Sequence, residues 1–600
     1  MANSTDFISP ESCFSLPDLF LERVSRSPDS VAYRHFSSSR KGWLDLTWQE
    51  MLTLAKRWRN GLKNENLSVG DRVAIMLPNC PEWILFEQAA LSLGLIVVPL
   101  YANDRPESIA YILEDTKSRI VILPGNAYWG RLAPALTGIT SLQKIITIDL
   151  CWTDGKNNSL VCLDDWLPPA DNSPGGYTPT THETATIVYT SGTTGPPKGV
   201  MLSHMNILDN CYFGLQRMAV YPEDKFLSFL PLSHMLERTA GYYLPMMAGS
   251  TVAFARSIPD LGEDMLTEQP TVLVAVPRIF ERIHSEIKRK LTAKPAIAVA
   301  LFEKAVSVGW NQFEYTQGRA PWSVSFLILP FLDRLIGAKI RDKFGGHLRI
   351  IITGGAPLSG DISKLFLGLG LPLYQGYGLT ETSPVISVNT REDNDPNGVG
   401  TPLQGIEVRS GPGDELLVRG HCVMQGYWKN QQATAETIDP DGWLHTGDRA
   451  TIQKNGHIRI TGRLKEILVL SNGEKVAPAD MEMAIAMDPL FEHTMIIGEA
   501  RPFLTLVSVL NEHLWKQLAE ELSVPDDESS LMLAEVEDAV LKRVEIQLAH
   551  FPGYAFVKHA ILSLSPWTVE NGLLTPTLKL KRKIIEKRLK EQIKKTYTIL

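Results

Sequence analysis

Up to about residue 460 the chain alternates short apolar runs with longer amphipathic stretches. Val73 to Pro78 (VAIMLP) predicts a strand and its end, Glu82 to Leu93 a helix, and Leu95 to Leu100 the next strand. Ile120 to Leu123 and Lys144 to Ile148 repeat the strand signal, and Ala185 to Tyr189 reads as a buried strand. This alternation predicts an α/β fold, with parallel sheets whose faces are covered by helices. Asp165 to Thr181 is rich in Pro, Gly and Asp and reads as a surface connection. Residues 256–345 form a mostly helical block. Within it Pro277 to Leu291 places Ile279, Ile283 and Ile287 at i, i+4 and i+8, the stripe of a helix packed on a core.

After Gly442 the pattern shifts to short strands and turns, Gly442-Trp443-Leu444 and then Ile458-Arg459-Ile460. Gly462-Arg463-Leu464-Lys465-Glu466 is a polar break between apolar runs. The domain boundary is placed there: residues 1–462 as a large domain, 463–600 as a small α+β domain of ordinary size. The tail, Lys579 to Lys595, carries nine Lys/Arg against two Glu, and Ile585, Leu589 and Ile593 share one helical face. Such a helix is either solvated or held against an anionic membrane surface.

A chain of 600 residues is too long for one ordinary core, which agrees with two domains. Hydrophobic content of 44% and charged content of 21% are those of a soluble globular protein. The formal net charge of -8 argues against a dedicated nucleic-acid binder. Cys13, Cys80, Cys151, Cys162, Cys211 and Cys422 form no CxxC pair, which predicts reduced thiols in a cytoplasmic setting. Met1 to Pro10 has neither the basic nor the apolar region of a signal peptide. The best apolar stretch, Ala89 to Leu100, is 12 residues, short of a membrane span.

The richest chemistry lies in Thr190-Ser191-Gly192-Thr193-Thr194-Gly195-Pro196-Pro197-Lys198-Gly199. Glycines let backbone N–H groups approach an anion, hydroxyls add donors, and the Lys supplies a point charge for phosphate. Only two residues separate Gly192 from Gly195, whereas a Walker loop has four, so this is a phosphate loop of another kind. Gly354-Gly355-Ala356-Pro357 follows the apolar strand Leu348 to Ile352 and offers backbone room for a flat ring. In Tyr374-Gln375-Gly376-Tyr377-Gly378-Leu379-Thr380-Glu381-Thr382, Glu381 is a hard oxygen donor suited to Mg²⁺. Asp448, in His445-Thr446-Gly447-Asp448, is a carboxylate of the kind that accepts both hydroxyls of a ribose.

Together these segments resemble the adenylate-forming superfamily of acyl-CoA synthetases, luciferases and amino-acid adenylation domains. The resemblance runs from about residue 15 to 590, with YTSGTTGPPKG, YGLTET, GWLHTGD and GRLKE in family order. It implies a large AMP-binding domain and a small mobile domain hinged near Lys465. It further implies that Thr190, Ser191, Gly192, Thr193, Thr194, Gly195 and Lys198 embrace the β- and γ-phosphates of ATP. Gly354, Gly355, Ala356 and Pro357, with Gln375, Gly376, Tyr377, Gly378 and Thr380, become the adenine and α-phosphate walls. Thr190 and Glu381 become the Mg²⁺-associated pair, and Asp448 and Arg463 the ribose contacts. Lys579 resembles the lysine of the first half-reaction. Most relatives carry Gly just before that Lys, whereas Leu578 stands here, with Lys581 and Lys583 as close competitors.

The family reaction activates a carboxylate as an acyl adenylate and passes the acyl group to a thiol. A carboxylate is ionised at neutral pH, so the first step needs placement and charge neutralisation rather than a general base. Rotation about Lys465 then brings Ser471-Asn472-Gly473-Glu474-Lys475 to the site; Gly473 and Lys475 are the expected coenzyme A contacts, and His234 lies in the expected acid-binding segment. That segment, Leu230-Pro231-Leu232-Ser233-His234-Met235-Leu236-Glu237, lacks the Asp that amino-acid-activating relatives carry in FDxS. The block at 256–345 resembles the insertion of long-chain acyl-CoA synthetases and is expected to extend an apolar tunnel. Tyr242, Tyr243, Met246 and Met247 are candidates to line it or to pack in the core. The implied activity is ATP-dependent ligation of a long-chain fatty acid to coenzyme A, with Mg²⁺. An acyl carrier protein as acceptor, docked by the basic tail, is the nearer alternative. A non-catalytic acyl- or nucleotide-binding relative is the further one, and the complete set Lys198, Glu381, Asp448 and Lys579 weighs against it.

Overall fold

The computed structural model describes residues 6–149, 159–169, 177–190, 197–292, 294–471, 474–549, 551 and 556–598. Two large sheets organise the bulk of the chain. In one, eight strands lie in the spatial order Gly426–Tyr427, Lys198–Ser203, Thr184–Thr190, Ile96–Pro99, Arg72–Ile75, Ile120–Leu123, Lys144–Thr147 and Leu160–Cys162. The last six of these run parallel to one another, while Lys198–Ser203 is antiparallel to both Thr184–Thr190 and Gly426–Tyr427. In the other, nine strands are ordered, with Ile350–Thr353, Val272–Ala275, Lys225–Ser228 and Thr251–Phe254 as its parallel centre. The α/β expectation is met, and its apolar strands are buried on both faces: Ile120 to Leu123 are all at 0% exposure.

Local sequence explains several boundaries. Helix Trp48–Lys63 starts at a capping box, Thr47 with Glu50. Helix Pro81–Leu91 begins with Pro at its first turn and is buried on every face, so it carries no solvent stripe. Its Glu87 forms an ion pair with Arg238, both side chains fully buried. Helix Pro277–Thr292 forms where the isoleucine stripe predicts it, and Ile283 and Ile287 pack on the core beside the nine-stranded sheet.

A four-stranded antiparallel sheet (Ile406–Ser410, Glu415–Gly420, Leu444–Ile452 and Ile458–Arg463) leads to the polar break. Beyond it, residues 470–557 supply a core of their own, and a second small cluster gathers Met495, Val507, Trp567, Leu574 and Ile585. Phe491–Ile497, Leu504–Leu510 and Val557–Ser563 form the three-stranded sheet of this region. The basic tail folds as two helices, Arg582–Arg588 and Lys590–Thr598. Ile585 is 1% exposed, and Leu589 and Ile593 pack beside it. The apolar stripe of the tail is therefore spent inside the small domain. Among the described residues no helix is long and apolar enough to cross a membrane.

Candidate active site

The carboxyl ends of Thr184–Thr190, Ile350–Thr353 and Leu373–Gly378 open into one cleft of about 2310 Å³, as α/β sheets commonly do. Thr190, Lys198, His234, Gly354, Gly355, Ala356, Pro357, Gln375, Gly376, Tyr377, Gly378, Thr380, Glu381, Asp448, Arg463 and Lys579 all line it. Ser191, Gly192, Thr193, Thr194, Gly195 and Gly473 lie outside the described residues, as do the side chains of Lys465 and Lys475. The main chain of Lys465 lies in the short turn Leu464–Glu466, between the four-stranded sheet and the small domain. That of Lys475 pairs with Val469 in a two-stranded ribbon.

Thr190 and Lys198 face each other across the antiparallel pair whose connection is the Gly/Ser/Thr loop. Lys198 Nζ stands 4.8 Å from the centre of the Tyr427 ring, and the Tyr427 hydroxyl donates to Glu381 Oε1 at 2.9 Å. Tyr427 thus holds a cation over its face and a carboxylate at its hydroxyl. Burial, with Glu381 adding, raises its phenol, so it remains a donor. Nothing in the motifs marks Tyr427; its only signal is an aromatic after Gly426, where a Cβ would meet Thr434 at 2.9 Å.

The two glycine segments expected to wall the adenine are backed by close backbone approaches. A Cβ on Gly378 would lie 1.8 Å from the Pro384 carbonyl, so no side chain fits there. A Cβ on Gly354 would sit 3.2 Å from the Gly376 carbonyl, which sets the two glycine turns side by side. The Gln375 amide donates to the Pro396 carbonyl at 2.6 Å, which fixes this strand end against the following loop.

Asp448 is 2% exposed. Its Oδ1 meets Arg463 Nε at 2.9 Å, and its Oδ2 accepts from the Tyr377 hydroxyl at 2.5 Å. Burial lifts its carboxyl above the ordinary range, while Arg463, Tyr377 and Lys579 pull it back. Lys579 arrives from the small domain. It and Arg463 are open to water inside the cleft, yet protein crowds both. This crowding lowers the Lys579 ammonium below the usual lysine range, Arg463 lowers it further, and Asp448, Glu466 and Glu381 oppose both effects. Lys581 instead faces Arg105 and Asp104. Thr575 holds the turn: its N–H donates to the Lys579 carbonyl and its Oγ accepts from the Lys579 N–H. Leu578 has φ +61, the left-handed region that Gly adopts freely, which accounts for Gly being usual there.

His234 caps the short helix Met235–Glu237 through Nδ1, 3.2 Å from the Leu236 N–H. Burial, with Lys579 adding, pushes it down to about 4, so it stands neutral in the cleft. The same cleft is also lined by an apolar group, Gly214, Met218, Val220, Phe226, Val272 and Ile352. The tunnel expectation needs correction here. Tyr242, Tyr243, Met246 and Met247 are in the core at 0–1% exposure, and Glu281 is the one described residue of the 256–345 block, apart from the strand residue Val272, that reaches the cleft. The recess is built by helix His204–Arg217 against the sheet instead. Gly214 within that helix was the available signal.

Two large α/β sheets, a separate small C-terminal domain and one cleft lined by residues of both domains are the architecture of the adenylate-forming enzymes. The chain belongs to the AMP-binding enzyme family: residues 20–428 match the AMP-binding enzyme domain and residues 465–600 the AMP-binding enzyme C-terminal domain. It is 30% identical over 593 residues to the long-chain-fatty-acid–CoA ligase FadD15 of Mycobacterium bovis, covering 96% of each chain. It is 27% identical over 655 residues to the long-chain-fatty-acid–[acyl-carrier-protein] ligase AEE15, chloroplastic, of Arabidopsis thaliana, covering 97% of this chain and 87% of that one. The crystal structure of the anthranilate CoA ligase AuaEII in complex with anthranoyl-AMP superposes with a TM-score of 0.74 at 16% identity, covering 97% and 98%.

Proposed function

We propose that this protein is an ATP-dependent long-chain fatty acid–CoA ligase. A fatty carboxylate oxygen attacks the α-phosphorus of ATP and pyrophosphate leaves; the coenzyme A sulfur then attacks the acyl carbonyl and AMP leaves. The observation that supports this reading is the convergence, in one cleft, of Thr190 and Lys198, the Asp448–Arg463 pair, Lys579 and an apolar recess.

In this reading Lys198 and the loop before it hold the departing phosphates. Asp448 takes the ribose hydroxyls, with Tyr377 and Arg463 fixing its carboxylate. Lys579 places positive charge where negative charge develops, an effect typically worth ~3–4 kcal/mol. Neutral His234 marks the passage from this polar end to the recess, where the acyl chain lies. Mg²⁺ would be held by the Glu381 carboxylate and the Thr190 hydroxyl, oxygen donors fit for a hard cation. Phosphate oxygens of the nucleotide and water would complete its shell. When bound, the ion neutralises phosphate charge. Gly473 and Lys475 are assigned to coenzyme A, and Lys465 to the hinge between residues 1–462 and 463–600.

The deciding experiment is pyrophosphate release with a C8–C20 fatty-acid series, with and without coenzyme A. Release that rises with chain length and thioester formation with coenzyme A are expected. Release without dependence on the fatty acid sinks the reading. The relative named as an acyl-carrier-protein ligase supports one alternative, in which thioester forms only on a carrier protein.

A further inference from the structure

The chain from 296 to 342 forms a helical hairpin on the large domain. Its first arm is Ala296–Thr316. Its second runs without interruption through Val324–Ile328, Leu329–Leu332, Asp333–Gly337 and Ala338–Asp342. The inward face of this second arm is apolar: Phe326, Leu329, Leu332 and Ile336 pack against Leu301, Ala305 and Val308 of the first. The outward face is apolar as well. Val324, Leu327, Ile328, Phe331 and Leu335 recur at helical spacing and stand in solvent, with Leu327 71% and Phe331 67% exposed. Trp322, 54% exposed, extends the same edge and contacts the Phe326 ring.

A helix apolar on both faces is ordinarily buried, and a contiguous exposed apolar patch marks an interaction surface. The charge around it indicates which kind. Residues 278–343 carry twelve Lys and Arg against six Asp and Glu, in a chain with a formal charge of -8. Arg334 and Lys339, on the same arm as the apolar face, are exposed; at the end of helix Pro277–Thr292, Lys288 is exposed too, while Arg289 and Lys290 pair with Glu286. Trp, Phe and Leu on one face with cations at its margin form the pattern of a surface that lies in the headgroup region of an anionic bilayer. The basic tail has no such face, because its apolar stripe is packed in the small domain.

We propose that the outward face of the 324–342 arm docks the protein on an anionic lipid bilayer. Its benefit rests on the ligase reading: long-chain fatty acids partition into bilayers, so a ligase seated there works where its substrate is concentrated. The face lies on the membrane and does not cross it, since no described helix is long and apolar enough to span one.

The test is sedimentation of the full chain with vesicles of phosphatidylglycerol and phosphatidylcholine in equal parts, and with phosphatidylcholine alone. Binding to the anionic vesicles, weakened by salt, is expected. Leu327→Glu/Phe331→Glu should weaken it at least about tenfold, because two large apolar contacts are lost. Arg334→Glu/Lys339→Glu should weaken it less. All four side chains are exposed, so the variants should fold, and pyrophosphate release with octanoate should be unchanged. Absence of vesicle binding, or unchanged binding by Leu327→Glu/Phe331→Glu, overturns the proposal. So does a solution dimer that the same pair of substitutions dissociates, which assigns the face to a second copy. Failure of the ligase reading is seen separately, as vesicle binding intact but no fatty-acid-dependent pyrophosphate release.

Discussion

Asp448 and Arg463 sit directly opposite each other on neighbouring antiparallel strands, and the Arg463 guanidinium meets the Asp448 carboxylate at 2.9 Å. Arg463 is the last residue of its strand, and the turn holding Lys465 follows it. The proposed ribose anchor and the proposed hinge are therefore joined by one ion pair. Asp448→Asn keeps the shape but loses the charge on those hydrogen bonds, which contribute about 1.5–3 kcal/mol each. The KM for ATP should rise roughly ten- to a hundredfold, with the melting temperature measured alongside to separate binding from folding. An unchanged KM would remove Asp448 from the nucleotide site.

Lys579 and Lys581 differ in what they face. Lys579 lies among Arg463, Asp448, Glu466 and Glu381, whereas Lys581 lies beside Arg105 and Asp104. Lys579→Ala should cut pyrophosphate release by about 10²–10³-fold, the usual effect of losing one preorganised charge contact. Thioester formation from pre-made acyl adenylate should persist. Lys581→Ala should leave the first half-reaction within a few-fold of the wild type. Since burial lowers the Lys579 ammonium, the first half-reaction should decline on the alkaline side at a pH below that of a free lysine. A reversed pattern of the two variants would shift the assignment by two residues.

The turn before Lys579 carries a local cost. Leu578 holds φ +61 with its side chain 60% exposed, so its contacts do little to offset the left-handed backbone. Leu578→Gly removes a penalty of roughly 1–2 kcal/mol and adds chain entropy of roughly 0.5–1 kcal/mol to the unfolded state. A net gain of about 0.5–1 kcal/mol is expected in urea unfolding, and Leu578→Val should lower stability instead.

Ile120–Leu123 is the strand the apolar run predicts, and helix Pro277–Thr292 ends one residue beyond the Pro277–Leu291 stretch that carries the isoleucine stripe. Such elements were legible because a single local period decides them. The segments proposed to hold phosphate and ribose stand out in the sequence because their Gly, hydroxyl and charged residues are contiguous. What local pattern could not show is which distant groups meet. Tyr427 reaches back more than two hundred residues to Lys198 while also holding Glu381, and the eight-stranded sheet brings Gly426–Tyr427 beside Lys198–Ser203. Tyr242 and Met246 carry side chains equally suited to a tunnel or a core. The π-helical turn Arg238–Tyr243, buried at every residue, places Tyr242 in the core, with its hydroxyl accepting from Gln88 at 2.6 Å.

The apolar recess makes chain length testable. Gly214 lies on its wall, and a Cβ there would first meet Leu244 Cδ1 at 3.4 Å, so Ala fits with little adjustment. Gly214→Met would fill the recess itself. Each methylene excluded costs about 0.8 kcal/mol, roughly fourfold per carbon. The preferred acyl chain should shorten by about three carbons, read as kcat/KM across the C8–C20 series. Unaltered preference would show that the chain runs elsewhere.

Glu237 follows His234 by three residues and is 1% exposed. Neither of its carboxylate oxygens meets a partner at hydrogen-bond distance among the described residues. Burial pushes its carboxyl up to about 8, and the nearby Ser228 hydroxyl offsets this only in part. At neutral pH the group is protonated in the folded protein, while the unfolded chain titrates near the ordinary value of 4.5. Between those values the folded state holds a proton that the unfolded state lacks, so stability falls as pH rises and the loss ends above the folded value. From about pH 6 to about pH 8 the fall should be on the order of 2–3 kcal/mol. Glu237→Gln mimics the neutral acid and cannot ionise, so its urea midpoint should stay flat over the interval where that of the wild type declines. Parallel pH profiles for the two proteins would show that Glu237 is ionised in the fold and has a partner not evident in its surroundings.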